Sequence, residues 1–189
     1  MIVLPASDYA VMPWKNGGGT TTQIYVAGDD PAHYDWRVSI ATVAGDGPFS
    51  RFPGYDRHIM MIEGGGMTLT GGPHGDITVS PAFVPRSFSG DWDIFGRLKS
   101  GPLRDFNLIV RRDKFASGLE TVVLAEAAEF NAEAGWLLLH VLDGNAMAAE
   151  LALQQGDSAV LNPGESARIA APAGIVRLAI CKVWLRQSQ

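Results

Sequence analysis

The chain echoes itself once, with a period of about 80 residues. Ile62-Glu63-Gly64-Gly65-Gly66-Met67 is followed by Gly75-Asp76 and then Pro81, and Leu142-Asp143-Gly144-Asn145-Ala146-Met147 by Gly156-Asp157 and then Pro163. Each copy reads as strand, acidic–glycine turn, strand, Gly-Asp turn, strand, proline-containing turn. A period this long exceeds that of a solenoid unit and points to a duplicated domain. At 189 residues the chain has room for one large domain or two small halves sharing a core. The expected division is an N-terminal half over 1–112 and a C-terminal half over 113–189, joined in one continuous core.

The elements between the turns are strands. Thr20–Val26 is β-branched and aromatic and stops at Asp29-Asp30-Pro31. Trp36–Val43 alternates, so Arg37 and Ser39 share the face opposite Trp36, Val38 and Ile40. His58–Ile62, Thr78–Val84, Asn107–Arg111, Thr121–Leu124, Leu137–Leu142, Ser158–Leu161 and Val176–Leu185 read likewise. Ala44-Gly45-Asp46-Gly47-Pro48 and Phe52-Pro53-Gly54 carry turn chemistry. One short helix is expected around Ala125–Glu133. Strands at this density, with turn signals every 8–12 residues, predict an all-β barrel or sandwich.

Composition narrows the function classes. Apolar residues make up 47% and charged residues 19%, which fits a globular protein and excludes a disordered one. The net charge of −5 carries no basic footprint, so nucleic acid is not an expected partner. No apolar run approaches the ~20 residues that span a bilayer, so no membrane is expected, and the start Met1–Pro5 lacks a signal peptide's basic region. A single cysteine, Cys181, fits a reducing compartment and is expected to be buried. The expected location is the cytoplasm.

Polar and glycine-rich chemistry gathers in the first half. Trp14-Lys15-Asn16-Gly17-Gly18-Gly19 sets a cation and an amide ahead of a strand. It has neither the Gly-x-x-x-x-Gly-Lys spacing nor the following helix of a phosphate loop. A nest of backbone donors, a tight strand entry and a purely structural turn all remain open. Arg37 and Ser39 share one strand face, Arg57-His58 enter another strand, and Asp105-Phe106-Asn107 precede Arg111-Arg112. Asp105, Asn107 and Arg111 fall on one face, with Phe106 on the other. Convergence of these groups on one barrel mouth accounts for the set better than scattered surface pairs, since buried charges need partners or a ligand. The four histidines, His33, His58, His74 and His140, have no mutual metal-ligand spacing, and His140 reads as a hydrogen-bonded core residue. No metal and no cofactor is expected.

The paired hairpins resemble the cupin jelly-roll half, and two of them resemble a bicupin of RmlC-like β-barrels. More specifically, Trp14–Gly19, Asp35–Ala41, Gly47–Gly54, Phe88–Asp91, Gly101-Pro102 and Asp105–Asn107 resemble, in order, the HutD/Ves family. If Gly64 aligns with the cupin hairpin glycine, the cupin metal ligands fall at Arg57, Phe52 and Ser50, and in the second half at Leu137, none of them a ligand. Gln23 stands where the family commonly has an acidic residue and keeps its shape without its charge. The resemblance implies a metal-free bicupin with a regulatory role in bacterial histidine utilisation, where urocanate and N-formylglutamate are small carboxylates. The leading expectation is therefore a non-enzymatic protein that binds such an anion. Arg37 and Arg57 would pair with carboxylate oxygens, Lys15 would add charge, and Asn16, Gln23, Ser39 and Asn107 would contribute polar contacts. Trp14 and Phe106 would form apolar walls. The rival is a metal-independent isomerase or hydrolase using His58 and Asp105 for proton transfer. A third class is a scaffold docking through the Val176–Trp184 edge, and assembly as a homodimer is left open.

Overall fold

The computed structural model describes residues 1–15, 17–30 and 33–186. They form two compact units, Ala10–Phe115 and a second made of Met1–Tyr9 with Ala116–Gln189.

The Ala10–Phe115 unit has two antiparallel sheets. The larger runs in the order Ala10–Pro13, Gly19–Ala27, Trp36–Val43, Leu103–Arg111, Tyr55–Glu63, Arg86–Ser89. The smaller runs Gly47–Pro48, Phe95–Leu98, Met67–Thr70, Ile77–Val79. Leu103–Arg111 is thus an inner strand, placing Ala41 and Met61 on either side of Asp105, and Arg37 and Arg57 on either side of Ile109. Because side chains alternate along a strand, the odd-numbered residues of these three strands share one face. That face is apolar at one end, where Ala41, Val43, Ile59, Met61 and Leu103 pack with Met67, Leu69, Val79, Phe88 and Ile94. The even-numbered face is also buried, through Trp36, Val38, Met60, Phe106 and Leu108.

The second unit repeats the plan. Its larger sheet runs Ile2–Leu4, Ser158–Leu161, Gly135–Asp143, Val176–Leu185, Phe115–Leu124, and its smaller one Ala128–Asn131, Ser166–Ala170, Ala146–Ala148, Leu151–Leu153. Leu137, Leu139, Val141, Leu161, Leu178 and Ile180 centre its own core. Cys181 is fully buried, and burial alone pushes its thiol far above the ordinary range. His140 is buried too, its Nδ1 2.9 Å from Ser158 Oγ, which also meets the Tyr9 hydroxyl at 2.8 Å.

Three expectations fail. Val176–Leu185 is not an open sheet edge, because it lies between Gly135–Asp143 and Phe115–Leu124. No helix covers 125–133: Ala128–Asn131 is a strand paired with Ser166–Ala170, and the sole helical turn among the described residues is Ala6–Asp8. Alanine and glutamate favour a helix locally, but a backbone ladder with Ile169 and Arg168 overrides so weak a preference. The first nine residues do not belong with the first half either, because Ile2–Leu4 pairs with Ser158–Leu161. No helix among the described residues is long and apolar enough to cross a membrane.

Removing buried volume from the second core should be costly. Leu139→Ala, at a site 1% exposed, is expected to lower unfolding free energy by roughly 2–5 kcal/mol in urea titrations. Val123→Ala, at a site 52% exposed, should change it by less than about 0.5 kcal/mol.

Candidate functional site

The shared odd-numbered face of the larger sheet ends in a cavity of about 520 Å³ within the Ala10–Phe115 unit. Arg37, Ser39 and Ala41 line it from one strand, Asp105, Asn107 and Ile109 from the next, and Arg57 from the third. Trp14, Lys15, Phe49, Ser50 and Phe52 close it from the loops.

Arg57 is the most constrained of these. Its side chain is buried, and its guanidinium carbon lies 5.0 Å from the ring centre of Phe88, 5.2 Å from Phe52 and 5.4 Å from Phe49. Ring faces carry negative charge and stabilise a desolvated cation. Its Nη2 donates to Asn107 Oδ1 at 3.0 Å and its Nη1 to the Ser50 carbonyl at 3.2 Å. Burial still holds its pKa down at about 10, against the opposing pull of Asp105. Asn107 turns its amide nitrogen to Asp105 Oδ1, so one side chain bridges cation and acid. Burial pushes the Asp105 carboxyl up to about 7, although the Asn107 amide and Arg57 both act to lower it.

Arg37 is different. Its guanidinium carbon lies 5.1 Å from the Tyr34 ring centre and 5.3 Å from that of Phe52. Its Nε, like that of Arg57, is buried without a hydrogen-bond partner, and neither arginine ion-pairs with a carboxylate among the described residues.

The rim is held by ordinary hydrogen bonds. Trp14 N–H donates to Gly19 O at 2.9 Å and Gly17 N–H to Trp14 O at 3.0 Å, closing a hairpin between Ala10–Pro13 and Gly19–Ala27. Gly17 takes φ +71, where a side chain would be strained, and a Cβ at Gly19 would collide with the Thr42 carbonyl. The glycine run is therefore a tight strand entry. The Phe49–Phe52 segment is fixed by Phe49 N–H to Ile94 O and Phe52 N–H to Gly90 O, both 2.8 Å. Beside it, Arg112 donates to Asp56, Asp91, Ser89 Oγ and the Tyr55 carbonyl, and Asp91 accepts the Gly54 N–H at 2.7 Å. The hydrogen bond from Arg112 leads the causes that hold the Asp91 carboxyl down at about 2.

A model of the HutD family matches residues 6–178. The chain belongs to the HutD family. It is 40% identical over 121 residues to an uncharacterized 21.2 kDa protein in the hutC 3′ region of Pseudomonas putida, covering 62% of each. It is 37% identical over 111 residues to the protein Ves of Citrobacter koseri, covering 57% of this chain and 58% of that one. These matches span less than two thirds of the relatives' length. The solved structure of HutD from Pseudomonas fluorescens matches at a TM-score of 0.83 and 31% identity, over 98% of this chain and 99% of that one. A cupin 2 conserved barrel domain protein from Leptotrichia buccalis shares the fold, with a TM-score of 0.56 at 13% identity over 86% and 88%. The all-β, cupin-like fold expected from the paired hairpins is the fold observed.

Within this HutD-family chain, the cavity collects Trp14, Lys15, Arg37, Ser39, Arg57, Asp105 and Asn107 from the residues singled out in the sequence. Asn16 lies outside the described residues. Three others do not line the cavity. Gln23 stands opposite Ser39 in register but is not part of the wall. His58 and Phe106 follow Arg57 and Asp105 directly, so the pleat sends them to the other face. There His58 Nδ1 meets Ser87 Oγ at 2.7 Å, burial lowers its pKa, and Phe106 is fully buried. His58 and Asp105 therefore do not form a proton-transfer pair. Arg111 pairs with Asp113 and Asp35, outside the wall. Phe49, Ser50, Phe52 and Tyr34 were missed as site residues, and the signal for the first three was the Gly47–Gly54 motif. The positions where cupin metal ligands would align, Arg57, Phe52 and Ser50, offer a cation, a ring and a carbonyl already bonded to that cation. Such a donor set does not fit a metal, and no group of three His, Cys, Asp or Glu side chains able to hold one forms among the described residues.

The buried acid has a consequence for stability. Below about pH 4, Asp105 is protonated in both folded and unfolded chains. Between there and about 7 only the folded chain keeps the proton, so this group's contribution to stability falls as pH rises. Urea titrations should show Asp105→Asn gaining on the parent protein between pH 5 and 7, by up to ~1.4 kcal/mol per pH unit.

Proposed function

We propose that the cavity of the Ala10–Phe115 unit binds a small organic carboxylate, and that the protein serves histidine utilisation in the cytoplasm as a binding, regulatory component. The observation that carries this reading is the Arg37 guanidinium. It faces the cavity between two rings, without a carboxylate partner among the described residues. Arg37 is half-buried with its Nε out of water, and an anion entering the cavity supplies the counterion that such a cation lacks. Lys15 adds a second positive charge from the rim, and Ser39 and Asn107 supply neutral polar groups. The planar guanidinium suits a carboxylate's two oxygens. Family membership and the hutC-region relative support the link to histidine utilisation, and urocanate and N-formylglutamate are acids of the right size and charge.

Calorimetry with these two acids tests the reading. Binding to the parent protein should weaken roughly tenfold to hundredfold in Arg37→Gln, the loss expected for a charge-assisted contact. Absence of binding to either acid, or equal affinity in Arg37→Gln, would reject it.

One observation favours a catalytic alternative: a buried carboxyl titrating near neutrality is suited to general acid–base work. With His58 on the other face, Asp105 would have to act as both acid and base. Turnover of either acid that disappears in Asp105→Asn would establish this reading in place of the first.

A further inference from the structure

The cavity wall contains one acid whose bonding is incomplete. Asp105 is 1% exposed; its Oδ1 accepts the Asn107 amide, and its Oδ2 is buried without a partner. An ionised carboxylate in a protein interior is stabilised when it accepts two or three hydrogen bonds or touches a cation. This one accepts a single neutral amide. No ion pair joins it to Arg57, whose Nη2 is spent on the far side of Asn107. The arrangement suits a neutral carboxylic acid better than a carboxylate.

The residues directly across from Asp105 on both flanking strands are apolar. On the Trp36–Val43 strand the cavity face presents Ala41 opposite it, then Ser39 and Arg37. On Tyr55–Glu63 it presents Met61 opposite it, then Ile59 and Arg57. Lys15 and Asp46 complete the charged groups of the wall, and Asp46 accepts the Leu98 N–H at 2.7 Å. His58, the other group nearby that titrates near neutrality, faces away towards Ser87.

We propose that the cavity takes up its anion together with one proton, held on Asp105, so that occupancy depends on pH as well as on the anion. This rests on the carboxylate-binding reading above. A negative charge entering a partly desolvated cavity makes a second negative charge on its wall more costly. The anion therefore strengthens proton binding at Asp105, and by linkage the proton strengthens anion binding to the same degree. Burial already holds the free site's Asp105 protonated up to about pH 7. Below that pH the proton is in place and affinity is full. Above it, each added pH unit should cost about tenfold in affinity until the occupied site itself loses the proton.

N-formyl-L-glutamate is a suitable probe because its carboxyls titrate well below pH 6. Its binding to the full chain is measured by calorimetry from pH 5.5 to 8.5, at each pH in a pair of phosphate- and carboxylate-free buffers whose ionisation enthalpies differ. Proton uptake near zero at pH 5.5 and approaching one at pH 8, with Kd rising about fivefold between pH 7 and 8, is the expected result. Asp105→Asn should bind with a Kd constant over this range and without proton uptake. A constant Kd without proton exchange in the parent protein would overturn the coupling while leaving the anion site standing. Proton uptake that persists in Asp105→Asn would overturn the assignment to Asp105. Failure of the probe to bind at any pH would remove the anion site and the coupling with it. If Asp105→Asn does not fold, the buffer pair on the parent protein decides alone.

Discussion

Everything around the cavity follows from the burial of the Arg57 guanidinium. Taking such a cation out of water costs several kcal/mol unless its surroundings replace the lost hydration. Here three rings, one carbonyl and one amide replace most of it, and only Nε is left without a partner. These groups come from three places in the chain: Phe49, Ser50 and Phe52 from one loop, Phe88 from an outer strand, Asn107 from an inner one. Satisfying one side chain therefore fixes the loop, the strand register and the position of the acid at once. Tyr34 and Phe52 extend the aromatic wall to Arg37.

The unit handles its charges in two contrasting ways. Outside the cavity Arg112 is saturated: two carboxylates, a hydroxyl and a carbonyl surround it, and it serves as a structural clamp on the rim. Inside, the cations are held by rings and neutral groups, and the one buried acid is kept a side chain away from the nearest of them. A direct Arg57–Asp105 ion pair would cancel the positive potential of the cavity. Inserting Asn107 preserves it, and leaves the acid closer to its neutral form.

Much of this was legible in the residues. Alternation placed Arg37 with Ser39 and Asp105 with Asn107, and the paired acidic–glycine hairpins marked two similar halves. The same alternation separates Arg57 from His58 and Asp105 from Phe106. Grouping those neighbours into one site followed their nearness in sequence against the pleat. Ala125–Glu133 misled because its composition favours a helix while its cross-strand partners lie some forty residues further on. Phe49 and Phe52 sit in a loop without periodicity, so only their motif marked them.

The pairing of Ile2–Leu4 with Ser158–Leu161 also orders events during synthesis. The Ala10–Phe115 unit is continuous, and can complete its sheets while the ribosome is still making the rest. The first strand leaves the ribosome before any of it, then waits for a partner some 150 residues downstream. Until that partner emerges, its backbone donors and acceptors have no ladder to join, and closing so long a loop carries the entropy cost of a non-local contact. The nascent chain can thus complete its cavity-bearing unit before Ile2–Leu4 meets its partner strand.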